Sequence, residues 1–129
     1  MKVLITGGWG WIGARITTYL LEQGHELIPL DIKSGEDILN LDTVRRQVNS
    51  AEVVIHLAGV GRPVPEIPLQ DFLMLNVVGT ANILTAMAEG FGAQRIIYPS
   101  SVAYYGCDDG LFKPTRFPVT ISTTPVTVG

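Results

Sequence analysis

Gly7, Gly10 and Gly13, in Thr6-Gly7-Gly8-Trp9-Gly10-Trp11-Ile12-Gly13, stand where an apolar segment gives way to an amphipathic one. That junction is what a dinucleotide-phosphate site requires. Gly7 permits a tight turn, Gly10 lets the backbone approach a pyrophosphate, and Gly13 lets the following helix pack closely on the strand. The helix N-terminus then offers amide N–H groups and the positive end of its dipole to the phosphates, with Trp11 and Ile12 in the first turn. Asp31 ends the second apolar segment, about 20 residues beyond the turn, where a carboxylate accepts hydrogen bonds from the adenosine ribose hydroxyls. Its charge favours NAD over NADP, because a 2′-phosphate would meet a like charge. Lys33 nearby keeps NADP open, and a capping aspartate is the alternative for Asp31.

Other side chains carry weaker signals. His56 lies in an apolar strand, where a lone histidine is more often a hydrogen-bonded core residue than a catalyst. Trp9 and Trp11 fit ligand stacking, and packing of the turn against the core equally well. Ser100 and Ser101 end a strand and could cap the next segment. His25, His56 and Cys107 show no metal-ligand spacing.

The elements that must position these residues alternate between strand and helix, the pattern of a parallel sheet with crossover helices. Strands are expected at residues 2–6, 25–30, 53–57 and 95–98. The first helix presents Ile12, Ile16, Tyr19 and Leu20 and ends near Gly24. A short helix spans residues 41–49 with Asp42 as its cap. Prolines between residues 63 and 68 forbid regular structure there. Residues 70–90 read as the longest helix, with Phe72, Leu75, Ile83, Ala86 and Met87 on its apolar positions and Gly90 and Gly92 stopping it. Beyond Gly106, Pro, Thr and Val dominate, and residues 120–128 suit a strand.

Composition narrows the partners. The chain has 129 residues, 47% of them hydrophobic and 16% charged, with a net charge of −3 and a pI near 5.2. A single globular domain with no basic patch for nucleic acid or an anionic membrane is expected. No apolar run approaches the roughly 18 residues of a membrane span, and the first strand begins too early for a signal peptide. The lone Cys107 suits a reducing cytoplasm.

Five ordered segments carry a family resemblance: the glycine turn, Asp37-Ile38, His56-Leu57-Ala58-Gly59, Asn76-Val77-Val78-Gly79-Thr80-Ala81-Asn82, and Ser100-Ser101-Val102-Ala103-Tyr104-Tyr105-Gly106. The chain resembles the N-terminal part of an extended short-chain dehydrogenase/reductase of the NAD-dependent epimerase/dehydratase type, acting on a nucleotide sugar. The resemblance implies an α/β fold, a Rossmann-type doubly wound parallel sheet truncated before the substrate-binding region. Residues 1–106 would form the NAD(P)-binding domain and residues 107–129 an irregular or extended tail.

The resemblance also implies roles. Asp37 and Ile38 match the pair at the adenine, and the short chain between Asp31 and Asp37 leaves little room for a third strand. Leu57, Ala58 and Gly59 match the strand end lining the cofactor, and Asn76 the helix asparagine beside it. Ser100 matches the strand end facing the nicotinamide, and Ser101 the catalytic serine that hydrogen-bonds a substrate hydroxyl or carbonyl. The family's Tyr-x-x-x-Lys pair has no counterpart: Tyr19, Tyr98, Tyr104 and Tyr105 are followed at that spacing by Gln23, Val102, Asp108 and Asp109, and Val128 stands where the tyrosine is expected. The expectation is an NAD-binding domain without turnover alone. A non-catalytic sensor or interaction module, and half of a two-chain enzyme, are the alternatives. The long helix resembles the one through which the family dimerises, so a homodimer is expected.

Overall fold

Four parallel strands carry the fold in a computed structural model that describes residues 1–61 and 65–100. They are β1 (Lys2–Thr6), β2 (Glu26–Leu30), β3 (Val53–His56) and β4 (Arg95–Ile97), in the order β2-β1-β3-β4. The register places Thr6 opposite both Leu30 and His56, so β1, β2 and β3 end together. Gly7, Asp31 and Leu57, each one residue further on, therefore meet at the carboxyl edge of the sheet, where open α/β sheets bind ligands.

Alternation along the strands fills both faces, as a sheet covered on two sides requires. Val3, Ile5 and Ile55 face α1 (Trp11–Glu22) and meet Ile16 and Leu20. Leu4 and Val54 face the opposite layer, where Val44 and Val48 of α2 (Leu41–Asn49) join Ile83 and Ala86. Each fully buried aliphatic side chain of this kind contributes roughly 1.5–3 kcal/mol.

The α1 surface differs from the expected one. Ile12 and Tyr19 are exposed, and the buried side runs through Gly13, Ile16 and Leu20. Ile16 and Leu20 meet the sheet, while Gly13 lies against the backbone of Gly7 and Gly8.

No strand intervenes between β2 and α2. A 3-10 turn, Ile32–Ser34, follows Asp31 and closes at Gly35, whose φ of 82° lies in the left-handed region. Pro29, opposite Ile5 in β2, lacks a backbone N–H and belongs at a sheet edge. The α2 cap is Asn40, whose side chain accepts from Thr43 N, and Asp42 sits in the first turn instead. The expected cap thus falls later in the chain than the observed one. Both residue types suit a helix N-terminus, and the side chain that reaches the Thr43 amide is that of Asn40.

The long helix runs from Leu69 to Ala88 as α3 (Leu69–Leu73), a π turn (Met74–Val78) and α4 (Gly79–Ala88). Its 20 residues are long and apolar enough for a membrane span by length and average composition only. Asp71, Asn76 and Asn82 interrupt it, so no continuous apolar run of that length occurs there, in line with the sequence expectation. Ile83 and Ala86 are buried with Leu4 and Val54 of the sheet, and Gly79 is buried against Ile38. Residues 107–129 lie outside the described residues, as does the strand expected at 120–128.

Candidate functional site

The glycine turn is built by close backbone approach. Gly7 has φ 67°, and a Cβ there would come within 2.8 Å of Ala58 N and 2.9 Å of Leu57 C. A side chain on Gly13 would press into the Gly7 carbonyl oxygen and reach 2.8 Å from Gly8 Cα. Gly10 N donates to Gly7 O at 3.0 Å, and Gly10 caps α1 without a side-chain hydrogen bond. The first-turn amides thus keep their donors for an anion or solvent. Trp9 and Trp11 are both exposed, so core packing is not their role; Trp11 carries the Arg15 guanidinium 4.1 Å from its ring centroid.

Asp31 is buried and doubly engaged. Its Oδ2 accepts from Trp9 N at 3.1 Å and its Oδ1 from Lys33 N at 3.0 Å. The first bond ties the glycine turn to the end of β2. The second is the expected alternative, a capping interaction, and each carboxylate oxygen keeps a further lone pair.

Beside Asp31 opens a cleft of about 600 Å³, within the usual size of small-molecule sites. It brings together Gly7, Asp31, Asp37, Ile38, Ala58 and Gly59 from the expected set. Asp37 Oδ1 accepts from Leu39 N at 2.9 Å, and Asn82 Nδ2 donates to Ile38 O at 3.0 Å, so the segment below the cleft is fixed from both sides. Leu57 lies at the strand end behind Ala58, whereas Gly10, Trp11, Ile12 and Gly13 stand outside the cleft lining, at the turn. Ser100 is exposed, and Ser101 lies outside the described residues.

Asn76 reaches the cleft wall through the backbone. Its Oδ1 accepts from Val60 N at 2.9 Å and its Nδ2 donates to Val60 O at 3.2 Å. A Cβ on Gly59 would lie 2.7 Å from that Oδ1, which accounts for glycine there. Asn76 sits in the π turn, a local form that often marks functional positions.

His56 is fully buried and hydrogen-bonded at both ring nitrogens, the core reading rather than the catalytic one. Nδ1 meets Thr6 Oγ1 at 2.6 Å and Nε2 meets Thr80 Oγ1 at 2.9 Å. Burial pushes its pKa below the ordinary histidine value. Thr6 and Thr80 were not singled out by sequence reasoning, nor were Glu36, Gln70 and Asp71 of the cleft lining. Thr6 lies in the glycine-turn segment and Thr80 and Asn82 in the Asn76–Asn82 segment, which is the signal the sequence carries for them.

The model of the "NAD dependent epimerase/dehydratase family" matches residues 3–126. The chain belongs to this family. A UDP-glucose 4-epimerase of Halalkalibacterium halodurans is 33% identical, over 97% of this chain and 42% of its own. A 3 beta-hydroxysteroid dehydrogenase/Delta 5-->4-isomerase of Mycobacterium tuberculosis is 33% identical over 78% of this chain and 31% of its own. Among solved structures, MoeE5 in complex with UDP-glucose and NAD superposes with a TM-score of 0.74 at 26% identity, covering 86% of this chain and 40% of that one. A UDP-glucose-4-epimerase from Stenotrophomonas maltophila with bound NAD and formylated UDP-arabinopyranose gives 0.71 at 28% identity, covering 84% and 39%. The chain therefore spans well under half the length of these epimerase/dehydratase relatives.

Proposed function

We propose that residues 1–106 are the NAD-binding domain of an epimerase/dehydratase-type oxidoreductase whose substrate is a nucleotide sugar. The observation that carries this reading is the seating of Gly7 and Gly13 against backbone, which leaves at the sheet edge a cradle that side chains would fill. Relatives with bound NAD and UDP-sugars support the choice of ligands.

Gly7, Gly10 and Gly13, with the amides of Trp11 and Ile12, hold the pyrophosphate. Asp31 accepts from the ribose hydroxyls. Asp37 and Ile38 border the adenine, while Leu57, Ala58, Gly59, Asn76 and Ser100 line the remainder. NAD, when bound, supplies the hydride acceptor. Ser101 orients the substrate hydroxyl. The Tyr-x-x-x-Lys pair is absent from this sequence, and loss of a positioned acid/base alone costs about 10²- to 10⁴-fold. This chain by itself binds the cofactor without turnover.

Asp31, Glu36, Asp37 and Asp71 line the cleft, and this run of carboxylates opposes a 2′-phosphate. The reading also includes a homodimer formed through the outer side of the Leu69–Ala88 helix, where Leu69, Leu73, Val77 and Leu84 are exposed. A reducing, cytoplasmic setting fits the single cysteine. Calorimetric titration of the folded chain tests the cofactor assignment. NAD should bind more tightly than NADP, with the gap narrowing as salt rises; equal affinities would remove the charge argument, and no binding by folded protein would remove the assignment.

A further inference from the structure

The hydrogen-bond inventory around His56 fixes where its proton sits. Thr80 Oγ1 lies 2.7 Å from Asn76 O, to which it donates. The same oxygen, 2.9 Å from His56 Nε2, must then accept, so the ring proton is on Nε2. Nδ1 is bare and accepts from the Thr6 hydroxyl at 2.6 Å. Thr6 Oγ1 in turn accepts from Leu57 N at 3.1 Å and Ala58 N at 3.0 Å. A hydroxyl has one donor and two acceptor sites, and all three are used.

A second proton on the imidazole has nowhere to go. It would point at an oxygen without a spare lone pair, so either Ala58 N or Leu57 N, which also donates to Thr6 O at 3.1 Å, would have to give up the Thr6 hydroxyl oxygen. Those amides belong to the strand end beside Gly7, where a side chain on Gly7 would come within 2.8 Å of Ala58 N. At the other end of the hydrogen-bond chain, Thr80 holds Asn76 in the π turn, and Asn76 holds Val60 at the cleft wall. One imidazole thus connects the glycine turn to the opposite side of the cleft.

We propose that His56 is a positioning residue for the nucleotide cleft: its neutral Nε2–H form sets the gap between the Gly7 turn and the Leu57–Ala58 strand end, and protonation loosens that gap and weakens nucleotide binding. The inference rests on the cofactor reading above. Around the ring, β1 presents Thr6 and the long helix presents Thr80. Tyr98, just after β4, stacks on it at 5.1 Å and 15°. Among the described residues no charged side chain hydrogen-bonds the imidazole.

The test combines nitrogen NMR of histidine-labelled protein with NAD calorimetry across the acid range. His56 should show the Nε2–H tautomer and titrate below the ordinary histidine value, and NAD affinity should fall about tenfold in step with His56. His56→Asn, which offers an acceptor near the Nδ1 position but cannot take up that proton, should bind NAD without this pH dependence. Thr80→Val keeps the imidazole and removes the acceptor of Nε2–H; it should shift the tautomer and weaken NAD at neutral pH, which keeps the test open if His56→Asn does not fold. An Nδ1–H tautomer in the parent protein, or NAD binding indifferent to His56 titration and to Thr80→Val, overturns the positioning role while leaving the cofactor reading intact. A folded protein with the expected His56 signature that binds no NAD at any pH sinks the cofactor reading, and the positioning role with it.

Discussion

Asp31 does two jobs with two oxygens. It holds Trp9 N and Lys33 N, so removal of its carboxylate loosens the glycine turn as well as deleting the acceptor proposed for a ribose hydroxyl. Asp31→Ala should weaken NAD binding by roughly 1.5–3 kcal/mol, the scale of a hydrogen bond to a charged group, as read by calorimetry. Unchanged affinity would leave Asp31 a turn cap and nothing more. His56 makes a second prediction at this scale, on stability rather than binding. Burial lowers its pKa from the ordinary value near 6.5, so as pH falls the unfolded chain takes up the proton first. Its contribution is complete above about pH 6.5 and is lost as pH drops from there through the folded-state pKa. Urea melts of the parent protein should show this loss, and the slope over that window should flatten in His56→Asn.

Among the elements, glycines separate by what they touch. The Gly13 hydrogen faces the backbone of Gly7 and Gly8, which cannot yield without opening the turn. Gly79 faces the Ile38 side chain, with Cγ2 at 3.0 Å from a Cβ position, a contact that asks the neighbour to give by only a few tenths of an ångström. Gly13→Ala should therefore cost about 1–3 kcal/mol of stability together with nucleotide binding. Gly79→Ala should stay within about 1 kcal/mol, because gained helix propensity offsets the tighter contact. Denaturant midpoints for both variants check the contrast. Strands and helices were legible in the sequence because apolar periodicity reports burial directly. The absent third strand was legible too, from the few residues between Asp31 and Asp37. The π turn was not, since it arises from how Asn76 and Thr80 meet β3 and Val60 across the layer. The same holds for the helix cap, where Asn40 and Asp42 are chemically alike and only the reach of one side chain decides. The role of His56 was legible only as far as its core position; its partners are 50 and 24 residues away in the chain.

At the scale of the whole molecule, the long helix is buried on one side and apolar on the other. Leu69, Leu73, Val77 and Leu84 are between 48% and 66% exposed, although charged or polar residues would be expected on a solvated outer face. Contiguous exposed apolar patches mark interaction surfaces, and the proposed homodimer would cover this one. A two-fold pairing of two such helices would bring like residues together, so each substitution acts twice. Leu73→Glu with Val77→Glu would place four carboxylates in a desolvated interface, a cost of several kcal/mol against the modest stability of a standard-sized dimer. The parent chain should sediment as a dimer at micromolar concentration and the double variant as a monomer with the same circular dichroism. NAD affinity should be kept in that monomer, because neither substituted residue lines the cleft. A parent chain that remains monomeric throughout the concentration range would assign the stripe to some other surface, and the cofactor cleft would then function within a single chain.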